Sequence, residues 1–357
     1  MRIELYQPEL GKRGGFFRYF YTALMDCKSA LALAGPRPLP CLVKPREHMS
    51  AWARFDGHLV FFDMSDHVFL YDGEALKLCD VYFKTNLNRE ITERVLRRSG
   101  LEDHICKIVP FFSFAQNLDI YRPGLARNRL ARLLNRRTYD VSHVVGVYEN
   151  RVRDGERSVF DGGGVSADPS RYHFWIRYHF REAMRAAGIK GYYRLISRGN
   201  KAIEDGRLVQ ANLTQWAYIQ KILAGRLTVI NTLPHAILPW KATESLALGR
   251  PFITERSPLI EMPVPFELKP NVHYLELLPG HGQFDRQAPL EDPASYRVLQ
   301  PVGLHLLAER CEWLRATLGD GTLIDHMSEQ VRDYAFRVLN KGFVADFICE
   351  TVAPMIH

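Results

Sequence analysis

Residues 227–254 read LTVINTLPHAILPWKATESLALGRPFIT, and the order of patterns in this stretch decides the fold class. The apolar run at 227–231 has the length and composition of a buried strand. Residues 241–248 follow a helical pattern that stops at Gly249, with Pro251 just beyond, where a helix cannot continue. Residues 251–254 return to a strand pattern. Strand, helix and strand in this order form the unit of a parallel sheet. The same alternation extends upstream. YDVSHVVGVY at 139–148 is strand-like, a helix is expected over about 172–187 ending at Gly188, a strand over 191–197, and a helix over 213–223 ending near Gly225. The second half therefore reads as a doubly wound parallel sheet with helices on both faces.

The first half is less regular. Residues 1–6 suit a strand, 17–33 a helix stopping before Gly35-Pro36, and 88–99 a polar helix ended by Gly100. HLVFFD at 58–63 is a nearly continuous apolar run, and 80–84 and 108–114 are similar. From 298 onward the pattern is mostly helical. The expected architecture is α/β with two sheets and a helical tail. Its divisions are an N-terminal α/β domain at 1–138, a second α/β domain at 139–330 and a tail at 331–357.

Composition bounds the function classes. The chain has 357 residues, 46% apolar and 24% charged, which excludes a disordered, collagen-like or small disulfide-stapled protein. No apolar run reaches the ~18 residues that cross a bilayer. The uncharged stretch at 227–240 is interrupted by Pro234 and Pro239, and the N-terminus lacks the pattern of a signal peptide. A cytoplasmic location is expected. Six scattered cysteines without a CxxC pair read as reduced core thiols. The formal charge is +7, and arginine outnumbers lysine 35 to 12. Arginine's planar fork suits phosphate and carboxylate, so an anionic ligand or surface fits, although GC-rich coding gives the same bias. No nucleic-acid-binding signature is present, and no nucleic-acid partner is expected.

In open α/β sheets, ligands bind outside the carboxyl ends of strands. That rule points to Thr232, just after the strand at 227–231, and to Lys241, Thr243 and Glu244 at the start of the next helix. Helix starts favour anions, and a glutamate one turn in can accept hydrogen bonds from both ribose hydroxyls. A plain core helix built on Leu246, Ala247 and Leu248 is the alternative.

The stretch KATESLALGRPFITE resembles the donor-site helix of GT-B glycosyltransferases, whose pattern is roughly E-x-x-A-x-G-x-P before a strand. Here the pattern falls on Glu244, Ala247, Gly249 and Pro251. The resemblance covers about 15 residues. It implies two facing Rossmann-like domains, with the last helix crossing back onto the first. It also implies a nucleotide-sugar donor, with Glu244 on the ribose and lysine or arginine on the diphosphate. Many retaining members carry a second glutamate eight positions earlier, where this chain has Ala236, and that departure favours an inverting enzyme.

Further candidates follow from that reading. Arg151, Arg153 and Arg157 share a loop with Gly162-Gly163-Gly164, where backbone amides and guanidinium groups can meet a diphosphate; a solvated hairpin is the alternative. An inverting transfer needs a base for the acceptor hydroxyl. Asp66, beyond the strand at 58–63, is the first choice, with Asp63 and His67 behind it, unless Asp63 and Ser65 only cap a turn. The single histidines His143, His179, His235 and His273 read as structural. No HExxH or DxD pattern exists, so neither a metal nor any other cofactor is expected. From Arg122 to Arg137, six arginines stand without an acid; a solvated helix face is the default reading, and the charge also suits an anionic membrane surface or an acidic acceptor. The expected function is metal-independent, inverting glycosyl transfer to a saccharide or lipid-linked saccharide acceptor, in surface polysaccharide synthesis. The alternatives are a sugar-nucleotide epimerase of the same architecture and a non-enzymatic anion- or nucleic-acid-binding protein.

Overall fold

A computed structural model of the chain describes residues 1–6, 15–26, 33–34, 50–65, 68, 71–115, 118–121, 138–147, 169–197, 201–204, 207–210, 213–232, 238–278 and 304–356. The chain divides into two compact units. Unit 1 comprises Met1–Pro123, Leu259–Glu267 and Tyr334–His357, and unit 2 comprises Gly124–Pro258 and Leu268–Asp333.

Unit 1 holds a sheet of β1 (Ile3–Leu5), β2 (Leu33–Ala34), β3 (Ser50–Phe55), β4 (His58–Asp63), β5 (Val81–Thr85) and β6 (Ile108–Phe111), in the order β2-β1-β3-β4-β5-β6. Strands β4, β5 and β6 run parallel, whereas β3 is antiparallel to both β1 and β4. The β3–β4 hairpin turns at Asp56-Gly57, with φ of 48° and 94°. Both signs are what a two-residue primed turn requires, and Asp-Gly supplies them at low cost. Helices α1 (Gly15–Asp26), α2 (Gly73–Leu78), α3 (Arg89–Arg98) and α4 (Leu118–Tyr121) belong to the same unit. Of the helix expected over 17–33, the described part spans Gly15–Asp26, and Leu33 pairs with β1 in a parallel strand instead. Helix α3 starts where Asn88 accepts from the Ile91 N–H and is followed by Gly100 at φ +65°.

Aromatic rings fill this unit's core. Phe62 stacks on Phe83 at 5.0 Å, and Phe20, Phe111 and Phe114 pack around them. Phe266, from the 259–267 segment, meets Phe112, Phe114, Phe343 and Phe347. That segment is tied in by Glu261, whose N–H donates to Leu87 O and whose carboxylate pairs with Arg89 at 3.1 Å.

Unit 2 holds β7 (Tyr139–Val147), β8 (Gly191–Ser197), β9 (Lys201–Glu204), β10 (Arg207–Gln210), β11 (Gly225–Val229), β12 (Phe252–Thr254) and β13 (Tyr274–Glu276). Their order is β10-β9-β8-β7-β11-β12-β13. The five strands β8-β7-β11-β12-β13 are parallel, and β9 and β10 extend the edge as an antiparallel hairpin. Helices α5 (Pro169–Ala186), α6 (Gln215–Ala224) and α7 (Trp240–Ala247) connect the parallel strands. The carboxyl-terminal helices are α8 (Leu304–Asp320), α9 (Thr322–Val338) and α10 (Lys341–Ile356). Leu307, Cys311, Leu314 and Leu318 line one face of α8 and join Val141, Leu227, Val229 and Ile253 of the sheet in one core.

The α/β class with two sheets and a helical carboxyl-terminal region is the one the strand–helix alternation indicates. No helix among the described residues is long and apolar enough to cross a membrane. The cysteines split: Cys79 and Cys311 are buried, and burial pushes both thiols up to about 12. Cys106 corrects the expectation of core thiols, because it lies exposed on the short turn Glu102–Lys107.

Candidate functional site

In unit 2 the chain starts at β7, places β8 on one side, then returns to place β11, β12 and β13 on the other. The connections leave the sheet in opposite directions between β7 and β11, and their carboxyl ends flank the crevice this creates. Asn231 and Thr232 follow β11, Glu255 follows β12, and α7 comes next after β11.

Helix α7 is shaped by its ends. It begins after Pro239, at φ −64°. It ends in a Schellman arrangement: the Gly249 N–H donates to Leu246 O at 2.8 Å and the Arg250 N–H to Ser245 O at 2.9 Å, with Gly249 at φ +67°. Pro251 then prevents continuation. Along the helix Leu246, Ala247 and the polar Thr243 are fully buried, and Glu244 is nearly so.

Two polar groupings stand at this edge of the sheet. The first centres on Glu255, whose Oε2 accepts from the Thr232 N–H at 3.1 Å and lies 3.5 Å from Asn231 Nδ2. Its Oε1 accepts from the Thr232 hydroxyl. Burial raises the Glu255 carboxyl, against the pull of Arg256 and these hydrogen bonds. Asn231 Oδ1 in turn meets His143 Nε2 at 3.4 Å. His143 is fully buried on β7, and burial drives it down to about 3 despite the Asn231 bond. Lys241, Arg177 and Arg181 add to that depression. His143 is therefore a neutral imidazole at physiological pH.

The second grouping centres on Tyr218 of α6. Its hydroxyl donates to Glu244 Oε2 at 2.8 Å, and Lys241 Nζ lies 5.6 Å from its ring centroid. Lys241 Nζ also donates to Val144 O of β7. Burial pushes Lys241 down to about 8; Glu244 opposes that shift, and Arg177 reinforces it. An ammonium and a carboxylate thus meet on one tyrosine beside the crevice. Thr243 Oγ1 donates to Trp240 O at 2.6 Å, within the first turn of α7.

Of the residues singled out from sequence, Lys241 and Glu244 come together on Tyr218, Thr232 sits on Glu255, and Thr243 stabilises the helix start. Arg151, Arg153, Asp66 and His67 lie outside the described residues, as does the basic stretch from Arg122 to Arg137. Tyr218, Asn231 and Glu255 escaped the sequence reading. The carboxyl-end rule itself points to Asn231 and Glu255, which directly follow strands, whereas nothing local marks Tyr218.

Unit 1 has a buried polar cluster of its own, at the carboxyl ends of β4 and β5. Lys84 Nζ pairs with Asp63 Oδ2 at 3.0 Å and donates to Ser65 Oγ at 2.6 Å. Tyr82 Oη donates to the same Asp63 oxygen at 2.8 Å, and the Ser65 N–H donates to Asp63 Oδ1 at 2.9 Å. Both carboxylate oxygens of Asp63 are thus engaged.

No protein-family model and no curated protein matches the chain. Among solved structures, the chain is similar to the crystal structure of Anabaena Alr3699/HepE in complex with UDP and glucose. The identity is 11%, the TM-score 0.38, and the match covers 82% of this chain and 71% of that one.

Proposed function

We propose that the protein is a metal-independent glycosyltransferase that moves a sugar from a nucleotide-activated donor to a saccharide or lipid-linked saccharide acceptor, with inversion, in surface polysaccharide synthesis. The observation that carries this reading is the placement of Lys241 and Glu244. The helix whose sequence resembles a donor-site helix stands at the carboxyl edge of a parallel sheet, beside its switch point, with a buried Glu244 and a half-buried Lys241 meeting on Tyr218. Unit 2 binds the donor: Glu244 takes the ribose, Lys241 with Arg151 and Arg153 takes the diphosphate, and Thr232 and Thr243 line the same edge. Unit 1 presents the acceptor. The acceptor oxygen attacks the anomeric carbon as the bond to the diphosphate breaks, and Asp66 takes the hydroxyl proton. Cationic side chains offset the charge growing on the leaving diphosphate. Asp63 is a poor base here, because its carboxylate is committed to Lys84, Tyr82 and the Ser65 N–H. The stretch from Arg122 to Arg137 holds the protein at an anionic membrane surface, where lipid-linked acceptors reside.

A thermal-shift panel of UDP-, GDP-, dTDP- and CMP-sugars tests the donor assignment. A ligand at 100 times its dissociation constant adds about 2.7 kcal/mol to the native state. One nucleotide class is expected to raise the melting temperature, and Glu244→Ala to shrink the rise. A flat response to all four classes overturns the reading.

A further inference from the structure

We infer that Tyr218 is a positioning residue that sets ribose recognition by orienting the Glu244 carboxylate. The inference rests on the donor-site reading of Glu244. A carboxylate recognises a vicinal diol only when its plane and lone pairs are held toward the two hydroxyls. Glu244 sits in the second turn of α7, 4% exposed, and a rotamer chosen there must be fixed by something outside that helix. Tyr218 supplies this from α6: its hydroxyl donates to Oε2 at 2.8 Å, a charge-assisted bond. The same ring lies under Lys241 Nζ, which is tied in turn to Val144 O of β7. One aromatic side chain therefore sets both a carboxylate suited to a sugar diol and an ammonium suited to a phosphate. Discrimination between ribose and deoxyribose belongs to the carboxylate branch alone, so it separates the hydroxyl's role from the ring's.

The test is a double-mutant cycle of Tyr218→Phe and Glu244→Ala, read as the affinity ratio between each ribonucleoside diphosphate and its 2′-deoxy analogue. UDP with dUDP and GDP with dGDP are the probes, titrated by calorimetry against the full chain. The wild-type protein is expected to prefer the ribo form. Tyr218→Phe, which keeps the ring, is expected to reduce that preference by about tenfold to a hundredfold, the worth of one hydrogen bond to a charged group. In the Glu244→Ala background, Tyr218→Phe is expected to leave the ratio unchanged, because the hydroxyl acts through the carboxylate. Melting curves establish that each variant is folded, and a variant that does not fold is replaced by Glu244→Leu or Tyr218→Leu, neither of which keeps the hydrogen bond, in the same cycle. If the ribo preference is lost with Glu244→Ala but retained with Tyr218→Phe, the donor site stands and the role of Tyr218 falls. If the wild-type protein binds none of the probes, or binds both sugars alike, the donor reading of Glu244 fails and takes this inference with it.

Discussion

Individual side chains at the sheet edge carry distinct pH signatures. His143 is held neutral, with its folded value near 3 against 6.5 when solvated. A depressed value means the unfolded chain binds a proton that the fold refuses. His143 therefore contributes stability that is full above 6.5 and lost as pH falls toward 3, at about 1.4 kcal/mol per pH unit. Urea unfolding between pH 7 and 4 is expected to show that slope, and His143→Gln, which keeps a donor for Asn231, is expected to flatten it. Lys241 has the opposite consequence for binding. With its value near 8, the amine is half deprotonated at pH 8, and a bound diphosphate draws the proton back. Calorimetry at pH 8 in buffers of different ionisation enthalpy is expected to show uptake of about half a proton, absent in Lys241→Met. Glu255 is the acceptor for four donors, the Thr254 hydroxyl among them, and Glu255→Ala strands them in a buried site. Denaturant unfolding is expected to show a loss of about 3 kcal/mol.

At the scale of elements, helix α7 explains half of its own motif. Gly249 and Pro251 are required by the way the helix stops: one adopts φ +67°, and the other bars a further turn. Gly249→Ala is expected to cost about 1–2 kcal/mol through that backbone alone, measured as a shift of the denaturation midpoint. The proposed donor site therefore rests, within this motif, on Lys241 and Glu244. The same separation explains what was legible beforehand. The parallel strands β7, β8, β11 and β12 are apolar runs that alternate with capped helices, and local pattern suffices for them. Strand β2 has two residues and exists through its pairing with β1, so no periodicity announces it. Strand β3 mixes Ser50 and Arg54 with apolar residues, and its clearest signal was the Asp56-Gly57 pair that closes the hairpin. In the site, Lys241 and Glu244 were readable because they share one helix. Tyr218 and Glu255 were not, because they join through neighbouring elements, 26 residues before Glu244 and 23 after Thr232.

For the whole molecule, the feature with the widest reach is that unit 1 is built from three separated segments. Its aromatic core takes Phe266 from the second, and Phe343 and Phe347 from the third. Helix α10 packs on α1 with Val344, Ile348 and Val352 fully buried, and Tyr19 donates to Leu339 O. A chain of residues 1–123 alone is therefore expected to unfold without a cooperative transition, although it contains the entire six-stranded sheet. Circular dichroism during urea titration checks this directly.

On a translating ribosome the same arrangement imposes an order. The segment from Tyr334 is made after all of unit 2, some 210 residues downstream of the sheet it covers. At about 5–20 residues per second that gap lasts on the order of 10–40 s. Until that segment arrives the ring of Phe266 lacks Phe343 and Phe347, a binding opportunity for a chaperone that vanishes with the last helix.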